Sequence, residues 1–484
     1  MSAENVIELD QPTKALGASL QNIKRAFSGN PAPTAAERID RLNRLHNGLL
    51  DYKDRFIEAL NEDFAGRSSA ETLMAEIVPI LEGIRYNKKH LRSWMKPSKR
   101  GKPPYLMGSS VKVHYQPLGV VGIVVPWNFP VFLGLSPLSG ALAAGNLAML
   151  KTSEFAPRTG EVMKEMIASN FADDEILVVT GGVDVATEFT KLPFDHLVFT
   201  GSTNVGRIVM RAAAENLTPV TLELGGKSPA IIHESYPMDE AAKRIAFGKG
   251  MNAGQVCISP DYVMAPSDKV DVFAEEFAKA ISSSYPTLKD NPDYTAIISD
   301  NQRQRLVDNV KDAESKGAEV TVVDPAGEDF ENTRKLPMHI VRNVSDNMRI
   351  MQEEIFGPIL PIIAYDKVEE AVAYVNGRDR PLALYYFDNN PSRAEKVLSQ
   401  THSGGACIND VMSHVAVDDM PFGGVGPSGM GHYHGKEGFL TFSNQRGVVH
   451  KGKLNAGAMI GPPWANRIFE SFIAFQFRRF KKIE

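Results

Sequence analysis

Apolar residues recur at helical spacing near the start of the chain and later give way to a different rhythm. Ile39, Leu42, Leu45, Leu49, Tyr52, Phe56 and Leu60 fall on one helical face, which predicts a long amphipathic helix running through Asn61. Thr34 followed by Glu37 reads as its capping box. Arg38, Arg41, Arg44, Asp51, Lys53, Asp54 and Arg55 occupy the other face, which reads as solvated. A basic stretch broken by Pro and Gly, KPSKRGKPP at 96–104, ends the pattern and reads as a surface connector.

From Val111 the pattern changes. Short β-branched runs at 120–125, 147–150, 176–180, 196–200 and 221–224 alternate with helix-length segments at 137–144, 157–170 and 205–215. This alternation, with nearly continuous apolar strands, predicts an α/β fold built on a doubly wound, Rossmann-like parallel sheet. A second α/β pattern follows Gly226, with strands at 230–232, 261–264, 359–364 and 384–386 and helices at 269–284 and 300–316. Glycines crowd at 422–438 (FGGVGPSGMGHYHGKEG), a long loop of the kind that tends to be functional.

Composition narrows this picture. A length of 484 residues suggests about three domains. Basic residues number 53 and acidic residues 58, so no whole-chain attraction to nucleic acid is expected. Cys257 and Cys407 are the only cysteines, which fits a reducing, cytoplasmic setting and leaves few candidates for thiol chemistry. The acidic opening MSAENVIELD does not read as a signal peptide, and no apolar run is long enough to predict a transmembrane helix.

Four loops at strand ends offer chemistry. In VVPWNFP (124–130), Asn128 has an amide able to donate into a cleft. Lys151, Ser153 and Glu154 leave the next strand, where they suit ribose hydroxyls or would equally cap a helix. Gly201, Ser202 and Gly206 open a helix whose free N–H groups would receive a phosphate, although the glycine spacing is not the dinucleotide fingerprint. LELGGKSP (222–229) places Glu223 in an apolar strand end, where desolvation should raise its pKa toward that of a useful base. Cys257 follows the turn of GQVC (254–257) and taken alone reads equally as a small buried hydrophobe.

Taken together, VVPWNFP, LKTSE (150–154), FTGSTNVGR (199–207), LELGGKSP, GQVC, EEIFGPILP (353–361) and PFGGVGPSGMG (421–431) resemble the aldehyde dehydrogenase superfamily, in order and over most of the chain. CISPDY (257–262) and GVGPSGMGHYHGKEGFLTFSNQRGV (424–448) look like its class 3 branch, and the whole is most similar to the bacterial coniferyl aldehyde dehydrogenases. The resemblance implies oxidation of an aldehyde to a carboxylic acid through a Cys257 thiohemiacetal and thioester. Asn128 would stabilise the oxyanion and Glu223 would activate the hydrolytic water. The implied cofactor is NAD, with NADP also admissible in class 3. Its binding residues would be Pro126, Trp127, Lys151, Ser153, Glu154, Gly201, Ser202, Gly206, Leu224, Gly225, Glu354 and Phe356. Acyl-transferring relatives lack a glutamate at position 223, and non-catalytic members of the fold lose the nucleophile. A long-chain fatty aldehyde is the alternative substrate.

The resemblance also implies a division of the chain. An NAD(P)-binding domain would span 1–97 and 118–225, a catalytic domain 226–425, and a small β arm 98–117 and 439–451. The arm would pair two subunits as a homodimer, and 452–484 would form a C-terminal tail. His402, His414, His432 and His434 lack ligand spacing, so no metal is expected. In the tail, Trp464, Ile468, Phe472 and Phe475 share a helical face followed by Arg478, Arg479, Lys481 and Lys482. Packing over the substrate mouth or a dimer partner is expected ahead of contact with a membrane surface.

Overall fold

A computed structural model describes residues 11–106, 108–453, 462, 464 and 466–480. The acidic opening at 1–10 and the tail lysines Lys481 and Lys482 lie outside them. The first predicted helix runs from Ala35 to Phe64, and its capping box is complete. The Thr34 hydroxyl accepts from the Glu37 N–H at 3.3 Å, and the Glu37 carboxylate accepts from the Thr34 N–H at 2.6 Å. Its charged face is less solvated than the pattern implies. Arg38 is buried and donates to the Ala143 and Ala144 carbonyls, which end the helix Pro130–Ala144. Arg41 and Arg44 both reach Glu175.

Sixteen strands lie among the described residues, and the site depends on most of them. They are β1 (Ser98–Lys99), β2 (Ser110–Pro117), β3 (Val120–Val124), β4 (Leu147–Lys151), β5 (Ile176–Val179), β6 (His196–Gly201), β7 (Val220–Leu224) and β8 (Pro229–Ile232). The rest are β9 (Tyr262–Pro266), β10 (Glu319–Val323), β11 (Met338–Arg342), β12 (Ile359–Tyr365), β13 (Ala383–Phe387), β14 (Gly405–Ile408), β15 (Gly429–Met430) and β16 (Ser443–His450).

A six-stranded sheet has the order β15-β7-β6-β3-β4-β5, parallel except for β15. The buried residues of β3 and β4 explain their continuous apolar runs, since helices cover both faces. The chain order reverses at β3, so the loops after β3, β6 and β7 open at the same end of the sheet, beside the switch point. A seven-stranded sheet, β10-β11-β12-β9-β8-β13-β14, is parallel except at its β10 edge. A third sheet, β1-β2-β16, is antiparallel, with β2 and β16 paired from Ser443↔Pro117 to His450↔Ser110.

Some elements differ from the sequence pattern for clear reasons. The helix expected from Pro137 begins at Pro130, and Pro137 sits inside it. Proline is favoured at a first turn, which draws a sequence reading to the wrong one of the two. β10 lacks a buried run because it is an edge strand with one buried residue, Val323. β15 is too short for any period, yet it lays the glycine-rich 422–438 loop along β7, with Gly429 opposite Glu223. The tail helix Arg467–Arg479 touches Tyr105 through an edge-on Phe472, while Ile468 and Phe475 stay exposed.

Candidate active site

Cys257 follows a tight turn. Asn252, Ala253 and Gly254 all adopt positive φ (48°, 49° and 74°), which reverses the chain after the helix Met238–Gly250. A side chain at position 254 would collide with the Gly357 carbonyl, so the close approach and the backbone conformation both require glycine there. Gln255 locks the turn. Its amide donates to the Asn252 and Ala296 carbonyls at 2.9 and 3.0 Å, and its oxygen accepts from the Ile298 N–H at 3.0 Å. The half-buried Cys257 is thereby presented between two cavities.

The first cavity, of about 270 Å³, is walled by hydrocarbon and aromatic side chains including Phe129, Phe132, Phe247, Met251 and Phe422. Apart from Cys257, the only polar side chains on its wall among the described residues are Asp410 and Ser413. The second, of about 710 Å³, is polar and runs between the two large sheets. Pro126, Trp127, Asn128, Gly201, Ser202, Glu223, Leu224, Gly225, Glu354 and Phe356 all line it, as does Cys257. Ten of the residues singled out in the sequence for the site therefore share one cleft with the thiol.

Each is held by its local structure. Asn128 follows β3, is buried, and donates from Nδ2 to the Gln255 carbonyl at 3.2 Å. Ser202 caps the helix Thr203–Ala214, whose first N–H groups face the cleft at the switch point. Trp127 meets Phe356 edge-on at 5.3 Å, and Phe356 holds a positive φ of 51°. A side chain on Gly225 would overlap the Glu354 carboxyl group, so the first glycine of LELGG is the space that Glu354 occupies. The dinucleotide expected from the sequence fits this cleft: it offers a helix N-terminus for phosphates, an aromatic pair, and a carboxyl group set against bare backbone.

Electrostatics at the site are governed by burial. The Cys257 thiol is pushed up to about 12, first by desolvation and then by Glu354 and Glu223. Burial alone raises the Glu223 carboxyl well above its usual range, and neither of its oxygens has a hydrogen-bond partner among the described residues. Glu354 is raised to about 8 by desolvation and then by Asp261, against a hydrogen bond from the Gly226 N–H.

Four residues singled out in the sequence stand outside the cleft wall. Lys151 is buried, with its ammonium group donating to the Gly181 carbonyl at 2.7 Å, and desolvation lowers its pKa. Ser153 is half-buried and Glu154 exposed at the carboxyl end of β4. Gly206 packs against Leu224, where a side chain would crowd its methyl groups. Cys407 lies in β14 with its sulfur 3.2 Å from His414 Nδ1. His414 and His434 are buried and stack on Phe422.

Sequence reasoning missed the supports. Lys227 bonds the Asp261 carboxylate and the Ile350 and Glu353 carbonyls, and Asp261 also accepts from the Ile355 N–H at 2.8 Å. Together they fix the segment that carries Glu354 and Phe356. Both residues fall inside quoted motifs, which was the available signal. Arg67 and Asn252 both donate to the Asn128 carbonyl, Glu76 accepts from the Val131 N–H further along the same loop, and none of the three lies in a motif that marked it out.

Comparison with known proteins places this geometry. A profile described as "Aldehyde dehydrogenase family" matches residues 10–448. A protein of Pseudomonas aeruginosa named "Probable coniferyl aldehyde dehydrogenase" is 53% identical over 95% of each chain. A "Coniferyl aldehyde dehydrogenase" of a Pseudomonas species is 44% identical over 90% of each chain. Among solved structures, the substrate-bound state of Staphylococcus aureus AldH superposes with a TM-score of 0.89 at 35% identity, covering 95% of this chain and 98% of that one. A Mycobacterium tuberculosis aldehyde dehydrogenase complexed with NAD+ gives a TM-score of 0.82 at 29% identity, over 90% of each chain.

Proposed function

This chain belongs to the aldehyde dehydrogenase family, whose members oxidise aldehydes, and from that premise we propose that it converts an aromatic, coniferyl-type aldehyde to the acid with NAD. One observation carries the reading. Cys257 borders the apolar cavity and the polar cleft alike, so aldehyde and dinucleotide would approach one sulfur from opposite sides.

In the proposed reaction the Cys257 thiol gives up its proton to solvent water and the sulfur bonds to the carbonyl carbon, moving the π pair onto oxygen. The Asn128 amide and the Cys257 N–H donate to that oxyanion. When bound, the nicotinamide supplies the acceptor for the hydride that the tetrahedral carbon releases. A thioester remains on Cys257. Glu223, once ionised, takes a proton from water, whose oxygen attacks the acyl carbon. The C–S bond breaks, the acid departs, and the sulfur takes up the proton that Glu223 removed from the water, which restores both groups.

Gly201 and Ser202 would meet the pyrophosphate, and Glu354 and Phe356 the nicotinamide ribose and ring. Lys151 and Glu154 would serve the adenosine ribose, where a carboxylate favours NAD over NADP. The unit built on β3–β7, 1–97 and 118–225, would bind the dinucleotide, and 226–425 would carry the nucleophile. Relatives named for coniferyl aldehyde support the aromatic substrate. So do Asp410 and Ser413, which offer polar partners to an oxygen-substituted ring in an otherwise hydrocarbon wall. That hydrocarbon wall also favours the second reading, a long-chain fatty aldehyde.

Measuring kcat/KM for cinnamaldehyde-type, benzaldehyde-type and long-chain aliphatic aldehydes, each with NAD and NADP, tests the reading. Coniferyl-type substrates with NAD should lead; equal efficiency across the three classes would remove the coniferyl assignment. Cys257→Ala should abolish oxidation of all of them.

A further inference from the structure

We propose that Arg67, together with Asn252, is a positioning residue for the oxyanion donor: the pair grips the main-chain carbonyl of Asn128 and so aims the Asn128 side chain at Cys257. The inference rests on the roles proposed above for Asn128 and Cys257.

The Arg67 side chain is fully buried, as is that of Glu76, and the two approach to 3.1 Å. The guanidinium lies between the rings of Phe64 and Phe129, 4.8 and 4.7 Å from their centroids. A buried ion pair is a poor source of stability compared with apolar packing, so its presence calls for another reason. The hydrogen bonds supply one. Arg67 Nε and Nη2 make none, whereas Nη1 donates to the Asn128 carbonyl at 2.8 Å. Among the described residues, that is the only hydrogen bond of the side chain.

Glu76 extends the grip. It sits in a π-helical turn, Leu73–Ile77, and one of its oxygens accepts from the Val131 and Phe132 N–H groups at 2.7 and 3.0 Å. Such turns redirect a side chain out of the regular helical register. One ion pair thus holds the loop on both sides of Phe129.

Asn252 holds the loop from the nucleophile's side. Its Nδ2 donates to the Asn128 carbonyl at 3.2 Å and to the Gln255 carbonyl at 3.1 Å, the same oxygen that accepts from Asn128 Nδ2. Its own N–H is bonded to the Glu71 carboxylate. The oxyanion donor and the turn that presents Cys257 are therefore tied through shared carbonyls. Misplacing a reacting group by about 1 Å costs on the order of 100-fold in rate, so a loosened Asn128 should be felt in turnover.

The test is a double-mutant cycle read in kcat and KM. Arg67→Lys keeps a positive charge opposite Glu76 but lacks the planar fork, and Asn252→Gly accepts the positive φ while removing the amide. Each should lower kcat by roughly 10- to 100-fold, with aldehyde and dinucleotide KM changed less than about threefold. In an Asn128→Ala background, neither should lower kcat by more than about twofold further. The same fold-loss in both backgrounds, or unchanged kcat in the single variants, would overturn the inference. Should Arg67→Lys fail to fold, Asn252→Gly decides by the same criteria. Full kcat in Asn128→Ala alone would instead overturn the role of Asn128 itself, which separates the two failures.

Discussion

Desolvation sets the resting state of Cys257 and Glu223. Burial pushes the Cys257 thiol up to about 12, so it rests protonated at physiological pH, and burial also raises the Glu223 carboxyl group well above its usual range. A thiol kept protonated reacts slowly until the site is filled. Because the pKa lies near 12, the thiolate fraction should grow through the whole accessible pH range. Alkylation of Cys257 by iodoacetamide in the free protein, followed on its peptide by mass spectrometry, should rise about tenfold per unit from pH 7 to 10. A plateau by pH 8 would show a thiolate already activated at rest. Gly225 gives a second prediction at this scale. In Gly225→Ala the new methyl group overlaps the Glu354 carboxyl group. Overpacking of this kind costs about 1–3 kcal/mol, and here it falls on the loop of Glu354 and Phe356. Steady-state kinetics should show dinucleotide KM raised roughly tenfold with aldehyde KM unchanged; unaltered dinucleotide KM would contradict the contact.

At the scale of elements, one helix is clamped to another by a residue that reads as solvent-facing. Arg38 donates to the Pro33, Ala143 and Ala144 carbonyls, so it closes the carboxyl end of the helix Pro130–Ala144 from the side of Ala35–Phe64. Burial lowers its pKa to about 10, which still leaves it charged. Arg38→Met should cost about 1–3 kcal/mol through the orphaned carbonyls, seen as a lower urea midpoint. Arg55→Ala, on the exposed part of the same face, should change stability by less than about 0.5 kcal/mol. Equal shifts for the two would refute the clamp. The seven-residue pattern could not separate Arg38 from Arg55, because helical periodicity reports which face is polar and not what comes to rest against it. The same limit hid β10, whose edge position leaves it without a buried run, and moved the start of the helix around Pro137.

For the whole molecule, the small sheet β1-β2-β16 ends in β16, a strand whose outer edge has no partner strand among the described residues. Such edges are covered or paired in stable proteins, which supports the proposed homodimer through 98–117 and 439–451. Light scattering should give the mass of two chains; a monomer at micromolar concentration would remove the proposal. No helix among the described residues is long and apolar enough to cross a membrane. The tail helix contributes nothing to the wall of the apolar cavity and meets the arm at Tyr105. The sequence by itself determined the two α/β patterns, the family through its ordered motifs and, through that resemblance, the candidate nucleophile. Those features are local: periodicity, strand-end loops and motif spelling are written over a few neighbouring positions. Only the tertiary structure decided that Cys257 joins two cavities, that Glu354 fills the space at Gly225, and that Arg67 reaches Asn128 from 61 residues away. Each of these depends on which distant surfaces pack together and exclude water, and no short window of sequence carries that.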